Sequence, residues 1–295
     1  MKQTKETIVW LVVLLGVGSI KAFAKPFAVG PYLGQTPPGP VAQVFAPGLI
    51  CQAGPRQGEG NVSFSADGNT FCFGRLGHVY ITENTNQGWT TPQRIESIPR
   101  GAWSPCLSSD ANSIYYMNQP KPFTYHRCLR TSQGWSLPRE LNPLFSSARG
   151  GFSVSADNSI YFLSKRDGFW IAPSVDNTWS EARKIPMEMG NLFGCHPGVA
   201  PDGSFLVFYS IRPGAIPGTE TDLYLTLRRT DGTWTKPRNM GPGINTGYHE
   251  IAARISPDKK YMFFIRMNGW WGNSSSHTSD IYWVELKEYL PESYR

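Results

Sequence analysis

Two glutamates and two histidines stand where chemistry could be done. Glu59 and Glu250 each lie eight residues before the aspartate of a recurring turn, so they open equivalent strands. Two carboxylates converging on one pocket could serve as acid and base on a glycosidic bond. The competing reading is a pair of carboxylates bonded to backbone amides or to Arg254. His196 and His249 could ligate a metal, but neither has a second His at ligand spacing, and the His249-Glu250 side chains diverge in an extended chain. No metal and no cofactor is expected. Trp103 and Arg149 begin the corresponding strands of other repeats. Arg75, Arg166, Arg212 and Arg266 recur after the next strand. Arg212 and Arg266 have Asp222 and Asp280 nearby, which favours structural ion pairs over a ring of cations for an acidic ligand. Trp270-Trp271 does not recur, so this pair is the better candidate for stacking on a sugar ring or meeting a partner.

These residues are positioned by a repeat. Ser65-Ala66-Asp67-Gly68 returns as Ser108-Ser109-Asp110-Ala111, Ser155-Ala156-Asp157-Asn158, Ala200-Pro201-Asp202-Gly203 and Ser256-Pro257-Asp258-Lys259, with aspartates 43, 47, 45 and 56 residues apart. The Asp side chain accepts from amides just after it, and Gly or Asn tolerates the left-handed position, so each tetrapeptide is a hairpin turn. An aromatic-rich strand follows each turn, as in Phe71-Cys72-Phe73 and Tyr261-Met262-Phe263-Phe264. The strand before each turn alternates, with Phe64, Leu107, Val154, Val199 and Ile255 three residues before the Asp, which means one packed face. A third strand comes next, and then a fourth landmark occurs at Trp89, Trp135, Trp179 and Trp234, with Pro92, Pro138 and Pro237 suited to an outermost edge.

Each unit is thus a four-stranded antiparallel sheet of about 45 residues, the length of one propeller blade. The last unit lacks its outer strand, and Phe45-Ala46-Pro47-Gly48-Leu49 reads like Met240-Gly241-Pro242-Gly243-Ile244. The expected fold is an all-β, five-bladed β-propeller of four-stranded antiparallel blades, its ring closed by an N-terminal strand. Lys25 to Val41 leaves little room for a sixth blade. Closure matters because an open array leaves two apolar faces wet.

The N-terminus reads as an export signal. Lys2 and Lys5 precede an apolar run from Ile8 to Ile20, and Ala22-Phe23-Ala24 offers cleavage after Ala24. The run is short for a spanning helix. The organisation expected is a signal peptide over 1–24, a linker over 25–40, the propeller over 41–290 and a tail over 291–295, in the periplasm or outside the cell, with no membrane span in the mature chain. The net charge of +6 comes from scattered Lys and Arg, without the basic, aromatic-lined groove that nucleic acid needs. The 30 Gly and 24 Pro suit strands and tight turns. Five cysteines show no Cys-x-x-Cys pair and read as small buried strand residues, with Cys51 and Cys72 one pair that could bridge. No loop has the oxygen spacing of a calcium site.

These residues resemble the TolB-like β-propeller repeat family, whose units read Ser-Pro-Asp-Gly, two residues, apolar-aromatic, then Asp-Ile-Tyr. Ser256-Pro257-Asp258-Lys259-Lys260-Tyr261-Met262-Phe263-Phe264 with Asp280-Ile281-Tyr282-Trp283 matches most closely, and the second and third units depart from the pattern. The resemblance spans 41–287 and implies a fold, because members range from periplasmic interaction modules to parts of hydrolytic enzymes. No Gly-x-Ser-x-Gly, P-loop, His-Glu-x-x-His or Gly-x-Gly-x-x-Gly motif is present. The expected function is a binding or scaffold module that holds a protein or carbohydrate partner on the face with the long insertions, Ser210 to Thr221 and Asn268 to Ser279. The alternative is a carbohydrate-active hydrolase or lyase at the same mouth.

Overall fold

The computed structural model describes residues 26–52, 58–118, 123–141, 145, 147–164, 167–176, 178–190, 192, 194–211, 220–269 and 278–295. It is all-β. Among the described residues, helix is confined to the short turns Pro31–Gly34 and Glu292–Tyr294.

Four-stranded antiparallel units, numbered below as sheets, succeed one another in chain order, the fourth and fifth joined by a parallel Thr221–His249 bridge. The first runs Glu59–Phe64, Thr70–Arg75, His78–Thr85 and Gln93–Arg94. The second is Ala102–Leu107, Ser113–Asn118, Thr124–Thr131 and Arg139–Glu140. The third is Ala148–Val154, Ile160–Ser164, Gly168–Ala172 and Arg183–Lys184. The fourth is Cys195–Val199, Phe205–Ile211, Thr221–Leu227 and Arg238–Asn239. The fifth is His249–Ile255, Tyr261–Asn268 and Thr278–Glu285, and its outer strand is Gln43–Val44 from the far end of the chain, with Gln43 opposite Trp283 and Val44 opposite Tyr282.

The turn chemistry explains the registers. In the first sheet the Ser65 hydroxyl donates to Asp67 at 2.5 Å, and Asp67 accepts the Asn69 amide at 3.0 Å. The Gly68 amide closes the turn on the Ser65 carbonyl, and Gly68 has φ +72°. The same left-handed position is filled by Ala111, Asn158, Gly203 and Lys259. The Ser65 hydroxyl and the Asn69 amide hold Asp67 below the ordinary carboxylate value.

First strands touch their neighbours through small side chains. The Leu107 amide donates to Ser63 Oγ at 3.0 Å and the Val199 amide to Ser153 Oγ at 3.1 Å. Ser279 Oγ of the fifth sheet donates to the Glu59 carbonyl of the first at 3.0 Å. Apolar clusters fill the spaces between sheets. Between the fifth and first sheets, Phe45 stands edge-on to Phe71, Phe263 and Trp283, at 5.8, 5.0 and 5.2 Å between ring centres.

The described residues 26–40 of the expected linker form a strap. The Phe27 amide donates to the Trp89 carbonyl and the Trp89 amide to Ala28, while the Tyr32 hydroxyl reaches Asp258 of the fifth sheet at 2.9 Å. All five cysteines are buried and free, so Cys51 and Cys72 are not bridged.

Candidate functional site

Glu59 and Glu250 do open equivalent strands, and each faces an arginine directly across the next one. Arg75 Nε donates to Glu59 at 3.2 Å and Arg266 Nε to Glu250 at 2.8 Å. Arg266 also caps the Ile244 carbonyl, and its guanidinium lies 4.2 Å from the Tyr282 ring centre. Both glutamates have no exposed surface. Burial raises both carboxyls, and the arginines oppose that rise. Both carboxylates are closed off from solvent and held in ion pairs. Arg266 stands opposite Asp280 in the ladder but bonds Glu250, and neither glutamate bonds Arg254.

Of the other residues singled out from the sequence, His249, His196, Trp103 and Arg149 lie among the described residues. His249 is buried, with Nδ1 3.5 Å from Thr221 Oγ1. His196 is part-buried at a bulge with φ +46°, its ring 5.5 Å from Tyr209. Burial and the charge of Arg254 hold His196 well below its ordinary value, and Nδ1 has no partner. Trp103 packs at the edge of the cluster between the second and third sheets. Arg149 is exposed and lines a cavity of about 380 Å³ with Lys184, Met187 and Met189. Arg212, Trp270 and Trp271 lie outside the described residues, as do Arg166 and His277.

The convergence that the structure does build is at the opposite end, under the turns. A cavity of about 130 Å³ is rimmed by the second residue of every turn: Ala66, Ser109, Ala156, Pro201 and Pro257. The rim is tied from sheet to sheet, because the Ala66 amide donates to the Ser109 carbonyl, Ser109 to Asn158 Oδ1, and Ala156 to the Pro201 carbonyl. Deeper in stand Ser63, Cys106, Ser153 and Arg254.

Arg254 is the charged member of this ring. It occupies the position, four residues before the turn aspartate, that elsewhere holds Ser63, Cys106, Ser153 and Gly198. Small residues at the other four places leave room for a long side chain to cross. A Cβ at Gly198 would stand 2.3 Å from the Ala253 carbonyl, so the fourth and fifth sheets approach there as only glycine allows. Arg254 is 5% exposed and donates to three carbonyls: Phe152 at 2.8 Å, Ala253 at 2.8 Å and Pro197 at 3.3 Å. Its Nε is buried without a partner, and no carboxylate pairs with it among the described residues. Burial lowers its basicity, yet a guanidinium keeps its proton in proteins. A buried cation with no counter-charge costs free energy unless an anion meets it. The signal for this residue is present in the repeat, as one arginine in a column of small residues.

Each first strand reaches this geometry through a β-bulge. The ladder shifts between Glu59 and Val62, Trp103 and Cys106, Arg149 and Phe152, Cys195 and Gly198, and Ile251 and Arg254. A bulge twists the strand and re-aims its side chains, and the column that holds Arg254 begins at or one residue past the shift.

No family model and no curated protein matches the chain. Solved structures do resemble it. One is a putative TolB from Agrobacterium tumefaciens, 14% identical over 71% of this chain and 70% of that one, with a TM-score of 0.48. Another is TolB from Acinetobacter baumannii, 9% identical over 76% of this chain, with a TM-score of 0.49; the match spans 54% of that protein. A third is the Cps50 (Swd1) β-propeller domain from Myceliophteria thermophila, 11% identical over 73% of this chain and 65% of that one, with a TM-score of 0.42.

Proposed function

We propose that the chain is an exported, five-bladed β-propeller, closed by its N-terminal strand, that binds a protein partner through an acidic group seated on Arg254. Five sheets each contribute a turn residue to one rim, and the fifth sheet bonds both the fourth and the first, which supports a ring. No described helix is long and apolar enough to cross a membrane. The single observation that carries the binding reading is the Arg254 guanidinium beneath that rim, with no carboxylate partner among the described residues. A space of about 130 Å³ admits one carboxylate-bearing side chain or a chain terminus, and is too small for an oligosaccharide. The partner is therefore a protein that presents an Asp, a Glu or a C-terminal carboxylate.

The test is capture from an envelope and secreted-protein extract on the immobilised chain. Wild type should retain a partner that peptides with a free C-terminal carboxylate or acidic side chains displace, and amidated neutral peptides do not. Ala156→Trp, an exposed rim residue, should close the mouth and abolish capture. Capture that survives Ala156→Trp but is lost in Trp270→Ala with Trp271→Ala would move the binding face to the insertion end and overturn the assignment to Arg254.

A further inference from the structure

The junction between the fourth and fifth sheets and the junction between the fifth and first are built on one plan. In the former, Thr221 Oγ1 donates to the Glu250 carbonyl and Thr221 pairs with His249; in the latter, Ser279 Oγ donates to the Glu59 carbonyl and Ser279 pairs with Gly58. Arg266 holds Glu250 and the Ile244 carbonyl, while Arg75 holds Glu59 and the Ile50 carbonyl. The two then diverge in chemistry.

At the fourth–fifth junction, neutral amides and a hydroxyl satisfy the acids. Asn239 Nδ2 donates to Asp222 at 2.7 Å, and Asn245 brackets the Leu223 backbone at 2.8 and 3.0 Å. Thr246 donates its amide and hydroxyl to Glu250 at 3.1 and 2.5 Å. At the fifth–first junction, Val44 stands in the place of Asn239, Cys51 in that of Asn245 and Gln52 in that of Thr246. The Ile281 amide meets Cys51 Sγ at 3.2 Å, as Leu223 meets Asn245. Asp280 has lost the asparagine that serves Asp222. Glu59 is 0% exposed, Arg75 occupies its Oε1, and its Oε2 is buried with no hydrogen-bond partner among the described residues. One ligand atom each from Cys51, Glu59 and Asp280 lies within 4.8 Å of the others.

We propose that Cys51, Glu59 and Asp280 bind a single borderline divalent cation of the zinc type, with a water entering beside the part-exposed Asp280 as its remaining ligand. Metal–sulfur bonds of about 2.3 Å and metal–oxygen bonds of about 2.0–2.2 Å put neighbouring ligand atoms roughly 3.5 Å apart, so closure by about an ångström completes the set. A thiolate beside two carboxylates selects against calcium and magnesium, which take six or more oxygens or keep their waters. On binding, the Cys51 S–H bond breaks, its proton goes to solvent and the sulfur pair forms the bond to the metal. The charges then close: two carboxylates, a thiolate and the Arg75 cation balance the dication. The three ligands come from the N-terminal segment, the first sheet and the fifth sheet, so the ion would pin the place where the two ends of the chain meet.

The test uses the full chain freed of metal by a chelator. Titration with Zn²⁺ alone should show one equivalent bound and a rise in thermal midpoint that the chelator reverses. Co²⁺ in its place should give a thiolate-to-cobalt charge-transfer band with a tetrahedral visible spectrum. Cys51→Asn, which copies the amide of the other junction, and Asp280→Asn should fold and bind Zn²⁺ at least tenfold more weakly. Wild type that takes up no equivalent, or gives no thiolate band with Co²⁺, overturns the site whether or not the variants fold. Binding undiminished in either folded variant does the same, and leaves a carboxyl–carboxylate pair that shares a proton.

Discussion

Arg254 Nη2 donates to the carbonyl of Phe152, 102 residues earlier in the chain and two sheets away, at 2.8 Å. One side chain thus crosses from the fifth sheet to the third. Two effects oppose each other if it is removed. Three carbonyls lose a charged donor, at a cost of about 1.5–3 kcal/mol for each well-formed bond. Against that, a buried cation without a counter-charge no longer has to be desolvated, a penalty of several kcal/mol. Arg254→Met should therefore shift stability in urea unfolding by no more than about 1–2 kcal/mol while abolishing partner capture. A loss well beyond 3 kcal/mol would make Arg254 a structural bolt and nothing more.

The two buried glutamates should differ in what they contribute. Both oxygens of Glu250 are bonded, whereas Glu59 keeps one oxygen without a partner among the described residues. Glu250→Ala should cost about 3–5 kcal/mol, the usual penalty for breaking a buried ion pair. Glu59→Ala, measured in chelator, should cost at least ~1 kcal/mol less. Equal losses in denaturant titrations would mean that Glu59 is as well satisfied as Glu250.

Phe45 gives a direct reading of how much the N-terminal segment contributes. It is fully buried against rings of the first and fifth sheets. Phe45→Ala should destabilise by about 3–5 kcal/mol, in the range for large-to-small changes in a core. A loss below ~1 kcal/mol would show that the segment is an ornament on a core complete without it.

Acid should weaken the molecule through its turns. Asp67 is held below its ordinary value by the Ser65 hydroxyl and the Asn69 amide. At Asp110, Asp157 and Asp258 burial pulls the other way, and the serine hydroxyl with the following amide outweighs it. A folded value below the unfolded one gives stability that is complete above about pH 4 and lost as pH falls through the folded values. Urea midpoints should therefore drop steadily below about pH 4, and less steeply in Asp67→Asn. Identical acid profiles for wild type and Asp67→Asn would remove this turn from the cause.

The sheets and turns are legible in the sequence because they rest on local rules. An Asp that accepts its own following amide, a left-handed residue after it and alternating apolar residues before it repeat five times. The pairing of Gln43–Val44 with Thr278–Glu285 is legible for the same reason, since Phe45-Ala46-Pro47-Gly48 copies Met240-Gly241-Pro242-Gly243. The pairing partners of the charged residues are harder. Arg266 is beside Asp280 in the ladder yet turns to Glu250, because the bulge in the first strand decides which side chain lies across from which. Bulges leave no mark in composition or spacing. Arg254 is visible only when the five repeats are laid in columns, and Cys51 only when its column partner Asn245 is known to bond the neighbouring strand.

The Cys51–Ile281 contact joins residues 230 positions apart, and Gln43–Val44 pairs with the distant strand Thr278–Glu285. The fifth sheet therefore stays unfinished until Thr278–Glu285 has been made. Until then, the aromatic flank around Phe71 and Phe263 has no cover, and a partial chain is sticky rather than folded. Assembly of this kind is late, long-range and slow.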